Sequence, residues 1–72
     1  MVIKFSLKIV EPGYIELVKL LKATGLCSSG GMAKIAVSEG KVLVDGVVET
    51  RKGCKIRRGQ RVELEGSMIE VE

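Results

Sequence analysis

Residues 25–46 read GLCSSGGMAKIAVSEGKVLVDG, and the punctuation inside this stretch decides the fold. Ser28 and Ser29 offer side-chain oxygens to the unpaired N–H groups of a helix that starts at about Gly30 and runs to Glu39. Met32, Ala33, Ile35, Ala36 and Val37 give that helix its apolar contacts, and Gly40 is its stop. Asp45-Gly46 then separates VLV from VVE, the signature of a two-residue hairpin turn between short strands. The glycines at 30 and 31 work against the helix, each costing up to about 1 kcal/mol relative to Ala. Close approach by another backbone is a candidate reason for them.

Upstream, Tyr14, Ile15, Leu17, Val18, Leu20 and Leu21 leave a narrow polar stripe of Glu16, Lys19 and Lys22, which predicts a helix from Tyr14 to Ala23 that ends at Gly25. Pro12 and Gly13 precede it, Pro12 being suited to a helix's first turn. Residues 2–9 alternate: Ile3, Phe5, Leu7 and Ile9 point one way, Lys4, Ser6 and Lys8 the other, as in a half-buried strand. Downstream, RVELE and MIEVE flank Gly66-Ser67; a turn there sets Leu64 opposite Ile69, Val62 opposite Val71, and Glu63 against Glu70. The order of strand, helix, helix and strands predicts an α+β fold, two helices packed on a small, mostly antiparallel sheet, with residues 1–72 as a single domain.

Size and composition narrow the function. A chain of 72 residues hides only about 60% of its unfolded surface, which leaves little room for a deep catalytic cleft. No apolar run approaches the roughly 20 residues of a membrane helix, and the N-terminal pattern suits a strand better than a signal peptide, so a cytoplasmic location is expected. Cys27 and Cys54 are far apart in a chain without His. They read as small structural thiols, and neither a zinc site nor any other cofactor is expected. Without His, and with scattered Glu, no base stands beside a nucleophile, which argues against an enzyme. Gly25 to Gly30 has the spacing of a phosphate-binding loop, but Gly31 and Met32 fill the positions that need Lys and Ser or Thr.

The net charge of +3 is unevenly placed. Residues 1–50 carry six basic and five acidic side chains, residues 51–61 six basic and none acidic, and residues 62–72 four acidic. Arg51, Lys52, Lys55, Arg57, Arg58 and Arg61 thus crowd onto one Gly-containing connection, TRKGCKIRRGQR. A solvated loop is the plain alternative, yet such a run repels itself unless a polyanion neutralises it. Lys34, Lys41 and the N–H groups at Ser29, Gly30 and Gly31 form a plausible phosphate seat at the second helix, although every capped helix has such an end.

On these residues the chain resembles the RNA-binding domain typified by the small-subunit ribosomal protein S-four, also called the alpha-L RNA-binding motif. Gly25, Leu26, Ser29, Ala33, Lys34, Val37, Gly40, Val42, Val44 and Gly46 fit its pattern, and ETRKG and KIRRGQ resemble its later stretch. The double glycine after Ser29 and the Glu-Thr-Arg-x-Gly segment look like the small stand-alone, ribosome-associated bacterial members. Gly30 stands where most members have Arg, Asp45 replaces the usual Asn, Gln60 the usual Asp, and Glu16 lies where many have Arg. Helix one is therefore expected mainly to pack.

The resemblance implies a non-catalytic protein that binds structured RNA, ribosomal RNA first, in ribosome assembly or translation, with no membrane and no small-molecule substrate. The expected RNA-binding residues are Ser29, Gly30, Gly31, Lys34, Lys41, Arg51, Lys52, Lys55, Arg57 and Arg58. Tyr14 and Phe5 are expected in the core, which leaves little for base stacking. The alternative is a protein-interaction module that docks an acidic partner or accepts a strand at its sheet edge.

Overall fold

In the computed structural model, which describes residues 1–7 and 13–72, nine elements follow in order. They are β1 (Val2–Phe5), β2 (Tyr14–Glu16), α1 (Leu17–Ala23), α2 (Gly30–Ser38), β3 (Val42–Val44), β4 (Val47–Val48), β5 (Lys55–Arg57), β6 (Arg61–Leu64) and β7 (Ser67–Val71). The main sheet has the order β1-β7-β6-β3-β4 and is antiparallel except for the parallel pair β1 and β7. A second, two-stranded sheet joins β2 to β5.

Strand alternation separates the two faces of the main sheet. Val42, Val62, Leu64, Ile69 and Val71 are buried, with Ile3, Phe5 and Val44 packed against them. Leu17, Leu20 and Leu21 of α1 and Ala33 and Val37 of α2 complete the same core. Leu7, fully buried, continues the β1 alternation, its N–H donating to the Glu72 carbonyl at 2.7 Å. The readings made for Lys8, Ile9 and Pro12 lie outside the described residues.

The first helix begins later than its apolar spacing predicts. Tyr14, Ile15 and Glu16 form β2, paired with Arg57, Ile56 and Lys55, and the Leu17 N–H donates to the Cys54 carbonyl at 2.8 Å. An aromatic and a β-branched residue suit a strand as well as a helix, and the available partner strand decides between them. Gly25, at φ +81°, takes the left-handed conformation that ends α1.

Asp45 and Gly46 both have positive φ, as a tight primed hairpin turn requires. The last hairpin turns one residue earlier than expected, on Glu65-Gly66, both left-handed, which shifts each cross-strand partner by two, so that Leu64 faces Ser67 and Val62 faces Ile69. A slip of two leaves the buried face unchanged. It also removes the expected Glu63–Glu70 clash: Glu63 faces Met68, and Glu70 faces Arg61, with Nε to Oε2 at 3.8 Å.

Candidate nucleic-acid interface

The basic connection is built around a strand. Ile56 is fully buried, and the alternation of β5 turns Lys55 and Arg57 to the opposite, exposed side. Both reach the Tyr14 ring: Lys55 Nζ lies 5.0 Å and Arg57 Cζ 5.6 Å from its centroid. Tyr14 is therefore half-buried beneath two cations, outside the core cluster where it was expected, while Phe5 does pack against that cluster. The strand pairing explains the shift, since Tyr14 sits directly opposite Arg57.

Next to this pair, Lys34 of α2, Lys19 of α1 and Lys52 line a cleft of 220 Å³ together with Glu16, Val18 and Gly53. Gly53 also lines the adjoining depression formed with Arg51, Cys54 and Lys55. Lys34, Lys19 and Lys52 thus line one cleft, which Glu16 also lines, and Gly53 joins it to the depression of Lys55, whose strand carries Arg57. Lys19 was not singled out in the sequence because the polar stripe of α1 has no feature that separates a cleft-lining lysine from one that faces open solvent. Its ammonium pairs with Glu16 at 3.2 Å.

At the start of α2, Ser29 Oγ accepts the Met32 N–H at 3.2 Å, whereas the Ser28 hydroxyl turns to Met32 Sδ and does not cap. The expectation that another backbone crowds Gly30 and Gly31 is not met. A Cβ on Gly30 would touch nothing within 4 Å, and one on Gly31 would find only Ser29 Oγ at 3.8 Å. The two glycines leave open space beside the first N–H groups of α2, which have no acceptor within the helix. Lys34 stands one turn after Gly30, on the same face.

The sequence-predicted cations divide into two sets. Among the described residues, no carboxylate lies within ion-pair distance of Lys34, Lys52, Lys55, Arg57 or Arg58. Arg51, in contrast, is held by Glu49: its Nε and Nη2 donate to the carboxylate at 3.0 Å each, and its backbone N–H donates to the same group at 3.0 Å. These Arg51 bonds pull the Glu49 carboxyl down to about 2. Lys41 pairs with Glu39 at 3.3 Å and lines a different, largely apolar groove that contains Ile35 and Glu65. It lines neither the cleft of Lys34 and Lys52 nor the depression of Lys55.

Nothing in this arrangement resembles an acid–base or nucleophilic centre. Both thiols are free, and burial pushes each of them up, with Glu65 adding to the effect at Cys27 and Glu49 at Cys54. A thiol shifted in this direction is a poor nucleophile at neutral pH. Among the described residues, no three His, Cys, Asp or Glu side chains are placed to hold a metal, and no helix is long and apolar enough to cross a membrane.

The sequence pattern of the S4 domain matches residues 7–72. The chain belongs to the S4 domain family. A protein of Escherichia coli (strain K12) named "Putative RNA-binding protein YbcJ" is 53% identical over 58 residues, covering 81% of this chain and 83% of its own length. The solution structure of YbcJ, described as revealing an alpha-L motif involved in RNA-binding, superposes with a TM-score of 0.70 at 51% identity, covering 94% of this chain and 84% of that one. A Bacillus subtilis (strain 168) protein named "Probable ribosome maturation protein RlbA" is 40% identical over 57 residues, covering 79% of this chain and 80% of its own length. The S4-domain assignment agrees with the two helices packed on a mostly antiparallel sheet.

Proposed function

We propose that this chain is a non-catalytic, cytoplasmic protein that binds structured RNA, ribosomal RNA foremost, in ribosome assembly or translation. The observation that carries this reading is the group of cations at Lys34, Lys52, Lys55 and Arg57, set on two adjoining depressions and the β5 strand with Arg58 next in the chain, none held by a described carboxylate. The likeness to YbcJ and RlbA supports the choice of RNA over another polyanion.

Recognition works through shape and phosphate charge. The lysines and arginines neutralise phosphates, and the open N–H groups at Ser29, Gly30 and Gly31 add uncharged donors next to Lys34. Arg51 joins after exchanging Glu49 for a phosphate, and Lys41 lies at the margin. With about five phosphates engaged, affinity for a duplex falls with salt at a log–log slope of about −4 to −5. A titration of the protein with a helical ribosomal RNA fragment between low and moderate salt tests this; an affinity that stays flat contradicts it.

A further inference from the structure

We infer that Tyr14 is the positioning residue of the interface: its ring holds the Lys55 ammonium and the Arg57 guanidinium as a fixed pair with their charges intact. The inference rests on the RNA-binding reading above and concerns how two of its cations are presented.

The register makes the arrangement. On β2 and β5, Tyr14 is directly opposite Arg57 and diagonal to Lys55, a separation that long side chains and aromatic rings can span. Lys55 has a carboxylate directly opposite it, Glu16, which would ordinarily capture it. Glu16 is engaged instead with Lys19, one turn along at 3.2 Å, and Lys55 turns to the ring at 5.0 Å. Arg57 is further set by its own backbone N–H, which donates to Gln60 Oε1 at 2.7 Å.

An aromatic ring and a carboxylate both restrain a cation, but with different results. Glu49 immobilises Arg51 and cancels its charge, so a phosphate must displace it. The quadrupole of Tyr14 attracts both cations through the ring face and leaves their full charge to act outward. Long side chains that are already restrained lose less freedom when they meet a phosphate. Tyr14 contributes to affinity in this way without being a phosphate ligand.

The test compares wild type, Tyr14→Phe and Tyr14→Leu, binding a fully paired RNA hairpin at several salt concentrations. Nuclear magnetic resonance first shows whether the Lys55 Hε and Arg57 Hδ protons of the free protein are shifted upfield by the ring. Wild type and Tyr14→Phe keep those shifts and bind within about twofold of each other, whereas Tyr14→Leu loses them and binds about three- to tenfold more weakly. The salt slope stays the same in all three, because no charge is removed. Tyr14 is the only tyrosine in a chain without tryptophan, so its emission reports binding at this site in the wild type.

Unshifted Lys55 and Arg57 protons in the wild type overturn the inference. So does a Tyr14→Leu protein that binds as well as wild type. A wild type that fails to bind the hairpin in a salt-dependent way overturns the RNA-binding reading itself, and the inference with it.

Discussion

Gln60 Nε2 donates a hydrogen bond to Asp45 Oδ2 at 3.3 Å, joining the β3–β4 turn to the residue before β6. Asp45 Oδ1 accepts the Arg61 N–H at 2.9 Å, and the Asp45 N–H donates to the Arg61 carbonyl at 2.8 Å. Gln60 Oε1, in turn, accepts the Arg57 N–H. The resemblance drawn from the sequence implies an amide at position 45 and a carboxylate at position 60; this chain has Asp45 and Gln60, the reverse. The two departures meet in space and keep one amide and one carboxylate between them.

Asp45→Ala removes the acceptor for both groups and places a plain side chain at φ +51°, so a loss of about 1–2 kcal/mol is expected in urea unfolding. Asp45→Asn alone turns an amide N–H₂ toward the Gln60 donor, and Gln60 can answer only by giving up Arg57. Adding Gln60→Asp should restore part of the loss, with a coupling of about 0.5 kcal/mol or more in a double-mutant cycle. Strictly additive losses would show that the two side chains do not act together.

Glu49 clamps Arg51 at the head of the basic segment, and on the proposed function this clamp restrains binding. Glu49→Gln weakens the hold on Arg51 and removes a negative charge, so RNA affinity should rise about three- to fivefold, with a salt slope steeper by up to about 1. In the free protein the Glu49 carboxyl titrates at about 2 because the Arg51 side chain, and then its backbone N–H, favour the charged form. A carboxyl lowered on folding stabilises the folded state above its ordinary range, and that contribution disappears as the pH falls toward 2. Carboxyl carbon shifts followed against pH should place the Glu49 midpoint there in wild type and return it toward the ordinary carboxylate range in Arg51→Gln.

Ile56 ties the cationic strand to the core. It is fully buried between two exposed cations, so Ile56→Ala should cost about 2–5 kcal/mol, read from the urea midpoint at constant slope. A loss under about 1 kcal/mol would mean that β5 is not anchored as described.

Much of this architecture could be read from local chemistry. Ser29, Gly40 and the Asp45-Gly46 pair set the ends of α2 and the first hairpin because cap and turn geometries depend on few residues. Tyr14 to Glu16 misled because a segment of three residues suits either period, and the partner that makes it a strand lies some forty residues away on β5. The last hairpin was misplaced because Glu65 occupies a left-handed position that usually takes Gly, Asn or Asp. Clustering of Lys52, Lys55 and Arg57 was legible as charge density. Which cations are already held by carboxylates was not: the separate groove of Lys41, the clamp on Arg51 and the entry of Lys19 into the cleft all depend on tertiary placement.

The most direct measurement is amide and side-chain chemical-shift mapping of the protein titrated with a helical ribosomal RNA fragment, alongside Lys34→Glu with Lys52→Glu, and Lys41→Glu. The account predicts that the largest shifts fall at residues 29–34 and 52–58, that the double reversal lowers affinity more than tenfold, and that Lys41→Glu changes it by less than about threefold. Shifts centred on the groove of Ile35, Lys41 and Glu65, with the double reversal leaving affinity unchanged, would contradict it.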